Sequence, residues 1–206
     1  MLDTLYTDRY ISGVARHHDG AKDALLDTAL DLFTRHGYDA IGVQKIVDAA
    51  GLTKPTLYHY FGSKRGLLEA ICGDLETRLF DTLGAALSYQ GDLPGTLQAL
   101  VDGVLRFAQR YPRETRLILA LQHGPVASEA RQVIWPVIER LGSAVRDIFT
   151  AAATDHGNMR GREYPYTAGF LGVCFTYAEL LLDGHVEPAP DLAHRIMHQF
   201  SHGIYS

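Results

Sequence analysis

The chain has 206 residues, of which 47% are hydrophobic and 21% are charged, a balance that is typical of a globular protein and excludes wholesale disorder. Its 19 Lys and Arg residues against 24 Asp and Glu residues give a formal net charge of −5, which argues against a protein that coats nucleic acid through bulk positive charge. No stretch reaches the ~18 apolar residues of a membrane span, and the N-terminus lacks a signal-peptide pattern, so we expect a cytoplasmic protein of one domain or two small ones.

The first segment of the chain shows no regular pattern, and the two segments after it show helical ones. Residues 1–19 lack a clear hydrophobic periodicity and are expected to form a flexible arm. From about Lys22, apolar residues recur at helical spacing until Gly37 ends the run. A short helix is then predicted over 43–50, where apolar residues fall at i, i+3, i+4 and i+7, and Gly51 closes it.

A tight turn separates this short helix from a second one. Only two residues follow Gly51 before the next helix, which is predicted over about 54–60. Thr53 is predicted to cap its N-terminus, and Gly62 is predicted to end it. Ser63 is then predicted to cap a long amphipathic helix.

The rest of the chain is also helical in pattern. Further helices are predicted over about 93–111, 113–123, 127–155, 164–184 and 191–204. Pro136 falls within the third of these and predicts the start of that helix or a kink. The segment 164–184 is apolar nearly all round, so we expect it to be buried on more than one side. The sequence therefore predicts an all-α protein of about nine helices.

Two short helices joined by a tight glycine-containing turn, with a third helix behind them, are the ingredients of a helix-turn-helix. In the second short helix, Leu57 and Phe61 are spaced i and i+4 and can anchor inward. The remaining side chains around it are hydroxyls, rings and cations: Lys54, Thr56, Tyr58, His59 and Tyr60. Such groups position a helix on phosphates and contact base edges in a DNA groove, which predicts a DNA-binding element.

Residues 42–64 resemble the signature of the TetR family of bacterial transcriptional regulators. They read GVQKIVDAAGLTKPTLYHYFGSK. This matches I-x-x-x-A-G-[VL]-[ST] in the first short helix and T-[LI]-Y-x-[HY]-F-x-[SN]-K from the second into the long helix, and the resemblance covers about residues 20–68. One departure is Gly42, where the family often has a Thr or Ser that caps the helix and touches phosphate.

The resemblance implies a three-helix DNA-binding domain over 20–68, with its helix-turn-helix over about 42–61, and a C-terminal helical domain over 69–206 for ligand binding and dimerisation. It implies a homodimer formed through the last two helices, about 164–184 and 191–204, that binds a palindromic double-stranded operator. Most relatives repress and are released by a small molecule, so we expect a repressor with an unknown effector. The implied DNA contacts are Gln44, Lys45, Thr53, Lys54, Pro55, Thr56, Tyr58, His59, Tyr60 and Lys64.

Seven aromatic residues of the C-terminal domain could line an apolar effector pocket with polar tips, and plain packing in the core or the dimer interface is the alternative for each. They are Phe107, Trp135, Phe149, Tyr164, Tyr166, Phe170 and Tyr177.

Three histidines of the last predicted helix raise the question of a metal site. They are His194, His198 and His202, at i, i+4 and i+8, and an i, i+4 histidine pair can bind a divalent metal. Three in line span about 12 Å, too far for one ion. We therefore expect no metal site and keep a metal-responsive regulator as the alternative.

No motif of an enzyme is found. The sequence lacks a nucleophile elbow, a P-loop, HExxH and GxGxxG, so we expect no catalytic residue and no cofactor, with a helical ligand-binding enzyme as a distant alternative. Cys72 and Cys174 lack zinc-finger spacing and are expected to be buried free thiols.

Charge is distributed unevenly along the chain. Residues 42–66 hold four cations and one carboxylate, a balance of +3, so the remaining residues sum to −8. The net charge of −5 therefore hides a small basic DNA-binding element within an otherwise acidic chain. The negative charge of the remaining residues should suppress non-specific DNA binding.

Overall fold

The computed structural model describes residues 3–155 and 159–203, with side chains from Gly20 onward. Over these residues the chain forms nine α-helices and one 3₁₀ helix and no β-strand, so the predicted all-α fold is confirmed. None of the described helices combines the length and the apolar character that crossing a membrane requires. The helices are α1 (Asp3–His36), α2 (Val43–Ala49), α3 (Lys54–Phe61), α4 (Lys64–Leu83), the 3₁₀ helix (Gly84–Leu87), α5 (Leu93–Arg110), α6 (Pro112–Gln122), α7 (Glu129–Asp155), α8 (Glu163–Leu182) and α9 (Leu192–His202).

The first helix is longer than its periodicity predicts. α1 begins at Asp3 rather than at about Lys22, so most of the segment expected to form a flexible arm has a helical backbone. Hydrophobic periodicity reports a face that packs on a core, so a helical segment whose sequence lacks such a face leaves no apolar pattern. Residues 3–19 contain no proline and a single glycine, Gly13. The start of α1 was therefore not visible in the apolar pattern.

The structure divides the chain into two compact units, Met1–Cys72 and Gly73–Ser206. In the first unit, α1, α2 and α3 contact one another. Its core contains the buried side chains Leu25, Ala29, Phe33, Tyr38, Ile41, Ile46, Val47, Leu57, Leu67 and Leu68. Every element of the first unit that carries a predicted DNA contact is therefore anchored by at least one buried apolar side chain.

In the second unit, α5 contacts α6, α7, α8 and α9. One face of α5 is buried from Leu97 to Ala108, and the Asp92 carboxylate caps the helix by accepting a hydrogen bond of 3.0 Å from the Gly95 N–H. α7 begins at Glu129 and continues through Pro136, so this proline lies inside the helix and does not mark its start.

α8 is buried on one side only within a single chain. Its buried residues, which share one face, are Thr167, Phe170, Cys174 and Ala178. The residues exposed on the opposite side are Pro165, Ala168, Gly172, Thr176 and Glu179. The expectation of burial on more than one side is therefore not met by the described part of one chain, because no described helix covers that second face.

Both cysteines are buried and free, as predicted. Burial raises the pKa of the Cys174 thiol to about 12, because a thiolate would lose its hydration in the interior. The Cys174 thiol is therefore protonated at neutral pH and packs as a small apolar group on the buried face of α8.

Candidate nucleic-acid interface

α2 and α3 form a helix-turn-helix whose turn is closed by backbone hydrogen bonds. The Gly51 N–H donates to the carbonyl of Asp48 at 3.2 Å. The Leu52 N–H donates to the carbonyl of Val47 at 2.8 Å. Gly51 has a φ of 66°, in the left-handed region that glycine adopts without steric cost. Because Leu57 of α3 is fully buried, the turn and this one side chain fix which face of α3 points outward.

The outward face of α3 carries one cation and several rings. The predicted contacts that are exposed there are Lys54, Pro55, Tyr58 and His59. Thr56 and Tyr60 are half-buried, and the His59 ring packs edge-on against the Tyr60 ring with centroids 5.1 Å apart. Tyr58 is 47% exposed, which is unusual for a large ring with no described covering element. The face combines a flat aromatic surface with hydrogen-bond donors, as a groove-binding helix does.

Thr53 occupies the N-cap position of α3 but does not cap it with its side chain. Its hydroxyl lies 2.9 Å from the hydroxyl of Thr56 instead. The predicted cap is therefore wrong in its chemistry, because two neighbouring hydroxyls satisfy each other. The exposed start of α3 is left without a side-chain acceptor, and unpaired N–H groups at a helix N-terminus attract anions such as phosphate.

α2 contributes Gln44 and Lys45, and both side chains are exposed. The Gln44 side-chain amide donates to the Asp48 carboxylate at 2.6 Å, so this amide is held along the helix surface. Gly42 is the N-cap residue of α2, with φ −88° and ψ 158°, and provides no side-chain cap. A Cβ built on Gly42 meets nothing within 4 Å. The position therefore has room for the hydroxyl residue that the family often carries there.

Gly42→Ser is expected to stabilise the protein by about 0.5–1 kcal/mol. A serine oxygen can accept from the first turn of α2, and any side chain at an extended backbone position lowers the entropy of the unfolded chain. Thermal unfolding should show a rise in Tm of a few degrees. Gly42→Ala is the matched control, because alanine reduces the same entropy but offers no acceptor. An equal gain for both variants would show that capping contributes nothing.

Lys64 is the first residue of α4 and differs from the other predicted contacts, because its side chain is half-buried. Its Nζ donates to the carbonyl of Tyr38 at 3.1 Å and to the carbonyl of Ile41 at 3.1 Å. It also lies 3.8 Å from the centroid of the Tyr38 ring.

The predicted cap of α4 is confirmed, since the Ser63 Oγ accepts from the Gly66 N–H at 2.9 Å.

Comparison with known proteins agrees with this architecture. The family described as "Bacterial regulatory proteins, tetR family" matches residues 25–71, which include all of α2 and α3. The transcriptional regulator AlkX of Mycobacterium tuberculosis is 26% identical over 193 residues, covering 89% of this chain and 87% of AlkX. The repressor KstR2 of Rhodococcus jostii is 37% identical over 82 residues, covering 40% of each chain. The FadR structure from Bacillus subtilis matches 88% of this chain and 98% of its own, with a TM-score of 0.72 and 16% identity.

The chain therefore matches the tetR family of bacterial regulatory proteins over residues 25–71, the segment that contains its helix-turn-helix. It is a DNA-binding transcriptional regulator, and because its relatives are regulators and not enzymes, the prediction of a non-enzyme is confirmed. The segment matched by the family contains every DNA contact that the resemblance implies, from Gln44 to Lys64.

The seven aromatic candidates for an effector pocket differ in burial and do not form a single cluster. Phe107, Phe149 and Phe170 are buried in the core, whereas Trp135 and Tyr164 are exposed. Tyr166 and Tyr177 are half-buried. Three of the seven rings lie close together, since the Phe149 ring centroid is 5.8 Å from that of Tyr166 and 6.2 Å from that of Phe170. Aromatic character marks core packing as readily as a pocket, which is why it did not single out a site.

A cavity of about 290 Å³ lies elsewhere in the second unit, between α5, α8 and the start of α9. Its lining combines apolar side chains with the ion-paired Asp102 and Arg106 of α5. None of the seven aromatic candidates lines it. Sequence reasoning missed this cavity because its walls come from segments up to 91 positions apart, Asp102 to Ala193, and no local pattern brings them together.

The three histidines of α9 lie on its exposed side. The His194 and His198 ring centroids are 6.4 Å apart, and those of His198 and His202 are 4.5 Å apart and stacked. The His202 Nδ1–H donates to the carbonyl of His198 at 3.0 Å. Among the residues that the structure describes, no group of three or more His, Cys, Asp or Glu side chains could hold a metal ion.

Proposed function

We propose that the protein is a ligand-responsive repressor that binds a palindromic operator as a homodimer and is released when a small molecule binds residues 69–206. The observation that carries this proposal is the outward face of α3. Leu57 is fully buried, while Lys54, Tyr58 and His59 are exposed beside it. A recognition helix requires this arrangement, because one side must pack on the core while the other side contacts DNA. We expect the protein to act in the cytoplasm, where bacterial DNA is accessible.

We assign the proposed base contacts and phosphate contacts from the hydrogen-bonding groups that each side chain carries. Lys54, at the exposed start of α3, can donate to guanine O6 and N7 or to a phosphate, and the Pro55 ring can pack on a thymine methyl. Tyr58, His59 and the hydroxyls of Thr53 and Thr56 are phosphate or base-edge donors. Gln44 and Lys45 on α2, with the half-buried Tyr60, complete the surface on domain 20–68 that we propose to face DNA.

The dimer is proposed to form through α8 and α9. The uncovered side of α8 consists mainly of small residues, which permit close approach of a partner helix, and half-buried Leu171 and Phe175 flank it. A symmetric pair would present two copies of α3 about 34–36 Å apart, or a multiple of one DNA turn, and so select an operator with two inverted half-sites.

Long-chain acyl thioesters of coenzyme A are the first effectors to test. The FadR structure of Bacillus subtilis, which shares this fold, was determined in complex with stearoyl-CoA. Release from DNA requires that the effector bind more tightly to the conformation that does not fit the operator. Repression itself is supported by the repressor KstR2 among the relatives.

Operator binding tests the proposal directly. Duplexes selected by the protein from a random pool should contain an inverted repeat, and fluorescence anisotropy should show an affinity that falls steeply with salt. A panel of acyl-CoA thioesters added to the complex should release the DNA. DNA binding without any sequence preference would refute the proposal that the protein recognises an operator. Sequence-specific binding that no thioester weakens would refute only the proposal that acyl-CoA thioesters are the effectors.

Lys54→Ala is expected to weaken operator binding about tenfold without changing the thermal stability of the protein. The side chain is exposed, so its removal leaves no buried group unpaired. If Lys54 neutralises a phosphate, the slope of log K against log salt should become less steep by about 0.9 per protomer, and a base contact would instead relax specificity at one position. Arg146→Ala on α7 removes an equal charge and should bind as the wild type does.

A further inference from the structure

The cavity between α5, α8 and the start of α9 has the size and the inner surface of a site for a small molecule. Its volume of about 290 Å³ lies just below the range of roughly 300–1,000 Å³ that is usual for sites of drug-sized ligands. Its inner wall is apolar, since it includes Leu105, Leu192 and Ala193, each of which is at most 6% exposed. A short hydrocarbon group would lose its contact with water there, whereas a long-chain acyl-CoA is far too large to be enclosed.

The wall that faces α5 is held in shape by the chain itself. Pro188 and Pro190, in the connection between α8 and α9, both line the cavity, and their rings fix their own φ angles. Leu181, near the end of α8, also lines it. The next residue along, Leu182, is fixed by Arg116, whose Nη2 donates to the Leu182 carbonyl at 2.7 Å. The cavity is therefore largely preformed, so a ligand would not have to order these segments when it binds.

The mouth of the cavity carries three polar side chains from one face of α5. They are Asp102, Arg106 and Gln109, at i, i+4 and i+7. The Arg106 Nη1 forms an ion pair with the Asp102 carboxylate, and the two side chains are 55% and 51% exposed. A guanidinium has five N–H donors, so the pair with Asp102 leaves donors for a second acceptor. Gln109 is exposed one turn further along and has an amide that can also donate.

This combination favours a ligand with one negative charge and a small apolar group. A guanidinium matches the planar shape of a carboxylate and can donate two parallel hydrogen bonds to it. Exposed ion pairs contribute little to stability, so Arg106 can turn from Asp102 toward a ligand at small cost. A phosphate group would bring about two negative charges next to the Asp102 carboxylate, which disfavours it relative to a carboxylate.

We infer that this cavity binds a small carboxylic acid in its anionic form. The hydrocarbon part of the ligand lies against Leu105, Leu192 and Ala193, and its carboxylate accepts hydrogen bonds from Arg106 and Gln109. The inference goes beyond the proposed function, because it concerns a site that needs neither DNA nor the acyl-CoA thioesters named there as effectors.

A matched set of ligands tests the charge that the site recognises. Isothermal titration calorimetry of the full-length chain without DNA should show saturable binding of hexanoate, one per protomer, with a Kd of about 1 mM or lower. Hexanamide, hexylamine and 2-aminohexanoate have the same chain length and carry no charge, a positive charge or both charges. Each should bind at least about tenfold more weakly, because a hydrogen bond between charged groups is lost or an ammonium group meets Arg106.

Three variants place the ligand in the cavity. Arg106→Gln should weaken hexanoate binding about tenfold or more, because the charged donor is lost. Asp102→Asn should strengthen it severalfold, because Arg106 no longer has a competing carboxylate, whereas a site for an ammonium group would lose affinity with this change. Ala193→Leu should abolish binding by filling the apolar end while leaving the ion pair intact. Arg146→Gln, at an exposed position of α7, is the control for charge and should bind hexanoate as the wild type does.

The inference is overturned if hexanoate does not bind, or if hexanamide binds as tightly as hexanoate does. It is also overturned if Arg106→Gln or Ala193→Leu binds hexanoate with wild-type affinity, since the ligand would then lie elsewhere. Thermal unfolding of each variant shows whether it is folded, and the exposed Arg106 should be replaceable without loss of Tm. Failure of the wild type to select an operator would refute the proposed function and would leave this binding result unaffected.

Discussion

Gly66→Ala is expected to unfold the DNA-binding unit or to lower its stability by about 3 kcal/mol or more. Gly66 lies in the first turn of α4, and a Cβ built there would overlap the carbonyl oxygen of Phe61, the last residue of α3, and lie 3.2 Å from its carbonyl carbon. Because the obstructing atoms belong to the backbone, they cannot rotate away as a side chain would, and α3 would have to shift. Thermal unfolding should show a loss of more than about 10 °C, and operator binding should be lost with it.

Gly73→Ala is the matched control on the same helix. Gly73 is exposed, and a Cβ built on it meets nothing within 4 Å. Alanine in place of glycine inside a helix should therefore stabilise α4 by about 0.5–1 kcal/mol. Opposite shifts in Tm for the two variants would show that close approach of α3, and not helix propensity, requires glycine at 66. Equal shifts would contradict this account of the packing.

Gly172→Arg is expected to leave the protomer folded and to abolish the dimer. Gly172 lies on the uncovered side of α8, and a Cβ there meets nothing within 4 Å of this chain. A single protomer should therefore accept arginine, which is also a better helix former than glycine. In the proposed dimer the same position faces a closely packed partner helix, so a long charged side chain must be buried or must push the helices apart. Light scattering should report a monomer, and operator affinity should fall at least 100-fold, because a monomer binds only one half-site.

Ala151→Arg, at an exposed position of α7, provides the control for adding a positive charge to the second unit. It should remain dimeric and bind the operator with wild-type affinity. A dimeric Gly172→Arg with normal operator binding would show that the uncovered side of α8 is not the dimer interface.

The helix-turn-helix was predicted from sequence almost residue by residue. Its bounds, Val43–Ala49 and Lys54–Phe61, agree with the predicted ones to within a residue, because glycines at 51 and 62 end the helices through local backbone chemistry. The inward side chain Leu57 was predicted as well, since a period of 3.6 residues places it on the core side. Phe61 is only half-buried, because it lies at the last turn of α3, where the chain already leaves the core.

Features that depend on distant segments were not predicted. The two carbonyl partners of Lys64 lie 23 and 26 residues earlier, and nothing in the motif reveals these long-range contacts. The cavity between α5 and α9 is likewise formed by segments far apart in sequence. Seven aromatic residues were grouped by type, and the structure places three of them in the core, two at half-buried positions and two at exposed positions.

The sequence by itself determined the all-α class, the helix-turn-helix and the concentration of positive charge in residues 42–66 within a chain of net charge −5. These depend on periodicity, glycine placement and charge, which act between residues a few positions apart. Only the tertiary structure decided which of those charges are exposed. Lys45 and Lys54 face solvent, whereas the ammonium of Lys64 lies between two carbonyls and a ring, because the fold brings the turn after α1 against the start of α4. A count of charges along a chain carries no information on which of them a distant segment contacts.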